Sequence, residues 1–105
     1  MMKRYSLRTV IEIIGVRPSF IRRLEEAEII CPIVEENEIF YTEEDLRKLS
    51  LARDLRDMGI NLAGIEVILD LRDRMLILKK EADEILYRLL KYINENIGKQ
   101  GDKNL

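Results

Sequence analysis

Residues 15–24 read Gly15-Val16-Arg17-Pro18-Ser19-Phe20-Ile21-Arg22-Arg23-Leu24. Glycine accepts the left-handed backbone that follows a helix, and proline suits a first helical turn, where its missing N–H costs nothing. One helix therefore ends at Gly15 and another opens at Pro18. Phe20, Ile21 and Leu24 give the second helix its inward stripe, which leaves Arg17, Ser19, Arg22 and Arg23 mostly outside. Upstream, Ser6 is a good N-cap, and Leu7, Val10, Ile11 and Ile14 recur on one helical face. Two short amphipathic helices joined by so tight a turn make a helix-turn-helix candidate.

Downstream, Ile29-Ile30-Cys31-Pro32-Ile33-Val34 and Ile39-Phe40-Tyr41 are β-prone, and Glu35-Glu36-Asn37-Glu38 supplies a polar turn between them. The pattern predicts a two-stranded wing. Thr42 then caps a third helix, with Glu43, Glu44 and Asp45 in its first turn and Asp45 placed as a capping-box acid. Leu46, Leu49, Ala52, Leu55 and Met58 form its inward face, and Gly59 ends it. Asn61 caps a further helix that turns Leu62, Ile65, Ile68 and Leu69 inward.

The C-terminal third reads as an assembly element. Leu71, Met75, Leu78, Ala82, Ile85, Leu89 and Tyr92 alternate in steps of four and three, the spacing of a coiled-coil seam. Leu76, Leu86, Leu90, Ile93 and Ile97 make a second stripe beside it. No Gly or Pro falls between Ile65 and Ile97. One long helix is compatible with that run, and so is a broken one. So apolar a helix predicts a homodimer, the alternative being a helix folded back on its own domain. Residues 99–105 are polar and predict a flexible tail. The expected organisation is a mainly α winged helix-turn-helix domain over 5–72, a dimerisation helix over 73–98, and that tail.

Composition narrows the function. The chain has 105 residues, enough for one core, and its 36% of charged residues nearly cancel to a net charge of −2. A dedicated nucleic-acid binder is usually basic. Residues 1–28 hold six Lys/Arg against four Glu, whereas residues 29–48 hold two against six acids, so the wing and third helix form an acidic middle. With no histidine and one cysteine, Cys31, the raw material for zinc sites and His-based triads is missing. No glycine-rich phosphate loop or nucleophile elbow occurs. The expectation is a non-enzyme with no cofactor and no metal. No signal peptide or apolar run of about 18 residues is present, so a cytoplasmic protein with no membrane partner is expected.

Three stretches now act together: Val16-Arg17-Pro18-Ser19-Phe20-Ile21-Arg22, Ile29-Ile30-Cys31-Pro32, and Tyr41-Thr42-Glu43-Glu44-Asp45-Leu46. In order and spacing they resemble the DNA-binding domain of MerR-type regulators. Asp57 to Leu69 extends the likeness, which covers about residues 5–72. The run Gly59-Ile60-Asn61-Leu62-Ala63-Gly64-Ile65 is most similar to two heat-shock-linked branches. CbpM-like chaperone modulators bind and inhibit the J-domain of a DnaJ-like co-chaperone, and HspR-like proteins repress chaperone operons. The short C-terminal region favours the modulator branch, and the resemblance also implies dimers through antiparallel C-terminal helices.

The departures from that pattern bear on function. MerR-type DNA binders follow the position of Arg22 with two aromatics, where this chain has Arg23 and Leu24. A glycine there precedes the paired apolar residues, where this chain has Glu28. Their wing offers an arginine before its tyrosine, where this chain has Glu38-Ile39-Phe40-Tyr41. Carboxylates facing a polyanion oppose binding. The first expectation is therefore a chaperone modulator that meets a basic J-domain helix with Glu35, Glu36, Glu38, Glu43, Glu44, Asp45, Asp54 and Asp57. The alternative is a MerR-type transcriptional regulator of a stress operon, contacting DNA through Arg8, Arg17, Ser19, Arg22, Arg23 and Tyr41. A third is an assembly module that binds neither. Arg17, Arg22 and Arg23 also have a plainer reading, as a solvated face paired with Glu25, Glu26 and Glu28.

Overall fold

A computed structural model describes residues 3–104, with side chains described through residue 97. Its elements are β1 (Tyr5–Ser6), α1 (Leu7–Ile14), α2 (Pro18–Glu26), β2 (Ile33–Glu35), β3 (Glu38–Tyr41), α3 (Glu43–Asp57) and α4 (Leu62–Asn104). The chain divides into two units, Met1–Leu71 and Arg72–Leu105.

Local chemistry sets the joints of the first unit. The Ser6 hydroxyl accepts from the Thr9 N–H at 3.2 Å and opens α1. Gly15 closes it at φ 75°, with its N–H on the Ile11 carbonyl at 2.8 Å. Pro18 begins α2 as the sequence predicts. Thr42 and Asp45 form a reciprocal capping box at the start of α3. Asn61 Oδ1 accepts from the Gly64 N–H at 2.9 Å and opens α4.

Helices α2 and α3 end in the same way. After α2, the Ile29 N–H reaches the Leu24 carbonyl and the Glu28 N–H reaches that of Glu25, each at 3.0 Å. After α3, Ile60 reaches Leu55 at 3.0 Å and Gly59 reaches Arg56 at 2.9 Å. Both are Schellman motifs, which need a left-handed residue just past the helix. Gly59 supplies it at φ 89°; Glu28 adopts it at φ 59° with a side chain attached. The missing glycine noted in the sequence is thus a strained backbone position in the fold.

The wing is a three-stranded antiparallel sheet of order β1-β3-β2 rather than a two-stranded one. Tyr5 and Ser6 pair with Tyr41 and Phe40, and Val34 pairs with Ile39. A two-residue strand shows no alternation, so β1 leaves no periodic signal in the sequence. Glu36 and Asn37 turn the hairpin at φ 50° and 68°. Two left-handed central residues mark the type I′ turn that matches strand twist.

The core gathers Val10 and Ile14 of α1, Ile21 and Leu24 of α2, Tyr41, Leu49 and Ala52 of α3, and Ile65 and Leu69 of α4. Met58, which its spacing places on the inward face of α3, is 75% exposed, because the helix ends before its turn reaches the core.

In the second unit the helix is unbroken, and its backbone runs through Gly98 to Asn104. The tail expected over 99–105 meets helical backbone as far as Asn104; its side chains and Leu105 lie outside the described residues. Met75, Leu78, Ile85, Leu89 and Tyr92 are all exposed on the single chain, as are Leu76, Leu86, Leu90 and Ile97 of the second stripe. Ala82 is exposed as well, and so is Leu71 at the end of the first unit.

Candidate functional site

Helix α2 holds the cations. Pro18 fixes its start, and Ile21 and Leu24 bury its inner face, which turns Arg22 and Arg23 to solvent with Arg17 and Ser19 before them. The ion pairs that helical spacing offers with Glu25, Glu26 and Glu28 do not form. Two of the three have a physical reason. Glu28 is itself the left-handed residue past the helix and so lies off the helical face, and Glu25 is claimed by the Tyr41 hydroxyl. Among the described residues, Arg17, Arg22 and Arg23 have no carboxylate partner. Arg8, on α1, meets Glu12 only loosely at 3.7 Å.

Tyr41, read from the sequence as a DNA contact, points the other way. It is 2% exposed, and its hydroxyl donates to the Glu25 carboxylate. Burial pushes its ionisation well above the ordinary tyrosine value, and the neighbouring Glu25 and Asp45 charges push it further. Alternation along β3 explains the placement. Tyr41 and Ile39 share the face that meets the core, and Glu38 and Phe40 share the opposite one.

The outer end of that inner face overruns the core. The cross-strand pair Val34 and Ile39 stands 66% and 48% exposed. On the opposite face Arg4, just before β1, lies over the Phe40 ring at 5.7 Å and pairs with Glu35 of β2. The wing therefore does carry a cation, brought by a strand that the sequence does not reveal, and that cation is spent on Glu35. The pairing also relieves the direct opposition of Glu35 and Glu38 across the strands.

The acids of α3 are mostly engaged. Glu43 accepts from the Tyr5 hydroxyl at 3.3 Å, and Glu44 from Arg47 at 2.9 Å. Asp45 is 8% exposed and held in its capping box, so it offers nothing outward. Asp54 pairs with Arg53 at 3.0 Å and Asp57 with Arg56 at 3.1 Å, both at exposed positions where a pair contributes little. Of the acids singled out by sequence, Glu36 and Glu38 remain without a partner among the described residues. The surface that results is a wing tip with two free carboxylates and an apolar pair, and a helix with three free guanidiniums.

Among the described residues no cluster of acids and cysteine is placed to hold a metal ion, and no helix is long and apolar enough to cross a membrane. A family model described as MerR HTH family regulatory protein matches residues 5–86. No curated protein matches the chain at a significant level.

Proposed function

The chain belongs to the MerR helix-turn-helix family of regulatory proteins, and from that premise we propose that it is a non-enzymatic chaperone modulator. Its partner in this reading is the J-domain of a DnaJ-like co-chaperone, and it acts as a homodimer joined through α4. One observation carries the reading: the wing tip presents Glu36 and Glu38 beside the exposed pair Val34 and Ile39, and Arg4, the cation over its Phe40 face, is neutralised by Glu35. A wing that grips a phosphate backbone needs free cations. A protein partner with a basic, amphipathic helix needs the reverse, an acidic rim around apolar anchors. The exposed double stripe of α4 supports the dimer, since so long an apolar face on a lone helix is a sticky one.

A second reading has its own support. Arg17, Arg22 and Arg23 are exposed and lack the glutamate partners that would have neutralised them, as the recognition helix of a DNA-binding regulator requires. That reading is a MerR-type transcription factor of a stress operon.

Calorimetric titration of the dimer with a purified J-domain separates the two. Glu36→Lys with Glu38→Lys should weaken J-domain binding mainly by slowing association, and raised salt should shrink the difference. Glu35 is left alone in this test because its loss would free Arg4. A J-domain bound equally by both proteins at low salt would sink the wing as its site. Nanomolar, sequence-specific binding of duplex DNA that requires Arg22 would favour the second reading instead.

A further inference from the structure

A concave surface, which does not rest on the wing reading, is walled by α1, the turn after it, α2 and α3. It encloses about 470 Å³, within the size range of sites that bury a ligand or an anchoring side chain. Ile11, Val16 and Phe20 make part of its lining apolar; Arg17, Arg23 and Arg56 make the rest cationic. No carboxylate lines it. Arg56 is held in place from two sides, its guanidinium 4.9 Å from the centroid of the Phe20 ring and hydrogen-bonded to Asp57 at 3.1 Å. Arg17 and Arg23 have no counter-charge among the described residues.

These features demand an occupant of a particular chemistry. Arg17 and Arg23 bring two guanidiniums without a counter-charge to the pocket, beside an Arg56 already matched by Asp57, and guanidinium receives a carboxylate in a fork of two hydrogen bonds. Beside the arginines the lining offers one neutral hydroxyl, that of Ser19, and an apolar floor. Phosphates of a duplex would meet the arginines but leave the apolar part unfilled. An aliphatic or aromatic side chain flanked by carboxylates fills the one and neutralises the other. We propose that this pocket docks an acidic peptide segment of a protein partner through a Leu or Phe anchor set between Asp or Glu residues.

Fluorescence anisotropy tests this on the full chain, with a labelled short peptide of Asp and Glu around a central Phe-Leu pair. Binding should be saturable and weaken with salt. It should fall by about tenfold or more when Phe-Leu becomes Ser-Ser, or when the protein carries Arg17→Gln with Arg23→Gln, as expected for losing contacts of more than about 1.4 kcal/mol. Both arginines are exposed, so the variant should match the wild type in thermal melting. Three results would overturn the proposal. The peptide fails to bind below about 1 mM; the double variant binds it as well as the wild type; or a duplex oligonucleotide binds through these arginines and the peptide does not. Each leaves the wing reading standing, because Glu36 and Glu38 are untouched throughout.

Discussion

The hydroxyl of Tyr41, at the end of β3, donates to the carboxylate of Glu25 on α2 across a nearly closed core boundary. This one bond ties the base of the wing to the arginine-bearing helix. Replacing Tyr41 with Phe removes the donor and leaves a half-buried carboxylate short of a partner. The expected loss is about 1 kcal/mol in denaturant unfolding at neutral pH.

The placement of Tyr41 also gives a pH signature. Burial first, then the bond to Glu25 and the nearby carboxylate charges, raise its ionisation, so the fold holds it protonated. The stabilisation is whole below the ordinary tyrosine value of about 10 and is lost as pH climbs beyond it towards the folded value. Wild type should therefore lose stability more steeply than Tyr41→Phe above about pH 10. Parallel alkaline slopes for the two proteins would contradict the assignment.

Glu28 and Gly59 form a matched pair of tests. Both sit just past a helix in left-handed backbone, one with a side chain and one without. Glu28→Gly should raise stability by about 0.5–1 kcal/mol, seen as a higher melting temperature. Gly59→Ala should lower it by about 1 kcal/mol. A Cβ built at Gly59 meets nothing within 4 Å, so backbone strain alone is at issue there.

Arg53 fastens α3 to α1. Its Nη1 donates to the Ile14 carbonyl at 2.8 Å, at the C-terminal end of α1 where carbonyls lack helical partners. Arg53→Met keeps the apolar stem and removes the donor. It should cost about 1–2 kcal/mol in urea unfolding, with Arg53→Lys in between. An Arg53→Met protein as stable as wild type would show that water serves Ile14 equally well.

The dimer is open to a direct test. Ile85→Asp with Leu89→Asp places charges in the proposed α4 seam, each costing several kcal/mol if buried without a partner. Light scattering should show a monomer. A double variant that remains a folded dimer would put the interface elsewhere.

What was legible in the sequence was local. Ser6, Gly15, Pro18, Thr42 with Asp45, Gly59 and Asn61 announce their roles because a cap or turn depends on residues within one helical turn. The contacts that decide availability are long-range. Arg4 to Glu35 spans 31 positions, Arg53 to Ile14 spans 39, and Tyr41 to Glu25 spans 16. No periodicity reports such pairs. Residue types therefore disclosed which surfaces are acidic and which are basic. They did not disclose that Tyr41 turns inward, that Glu35 is already matched, or that Val34 and Ile39 stand in the open.

The strand order of the wing has a consequence for solubility. β2 lies at one edge of the sheet, so one row of its N–H and C=O groups faces no strand. An open edge is a template on which another chain can add, and through which copies can polymerise. Here the edge is three residues long, entered through Pro32, which has no N–H to give, and closed by Glu35 with Glu36 just beyond it. The unpaired Glu36 carboxylate repels the same strand in a second molecule. A variant with Pro32 replaced by Val and Glu36 by Asn, which tolerates the left-handed turn, would lengthen that edge and remove its unpaired carboxylate. It should fold as before and then precipitate on standing, with the dye-binding signature of stacked strands.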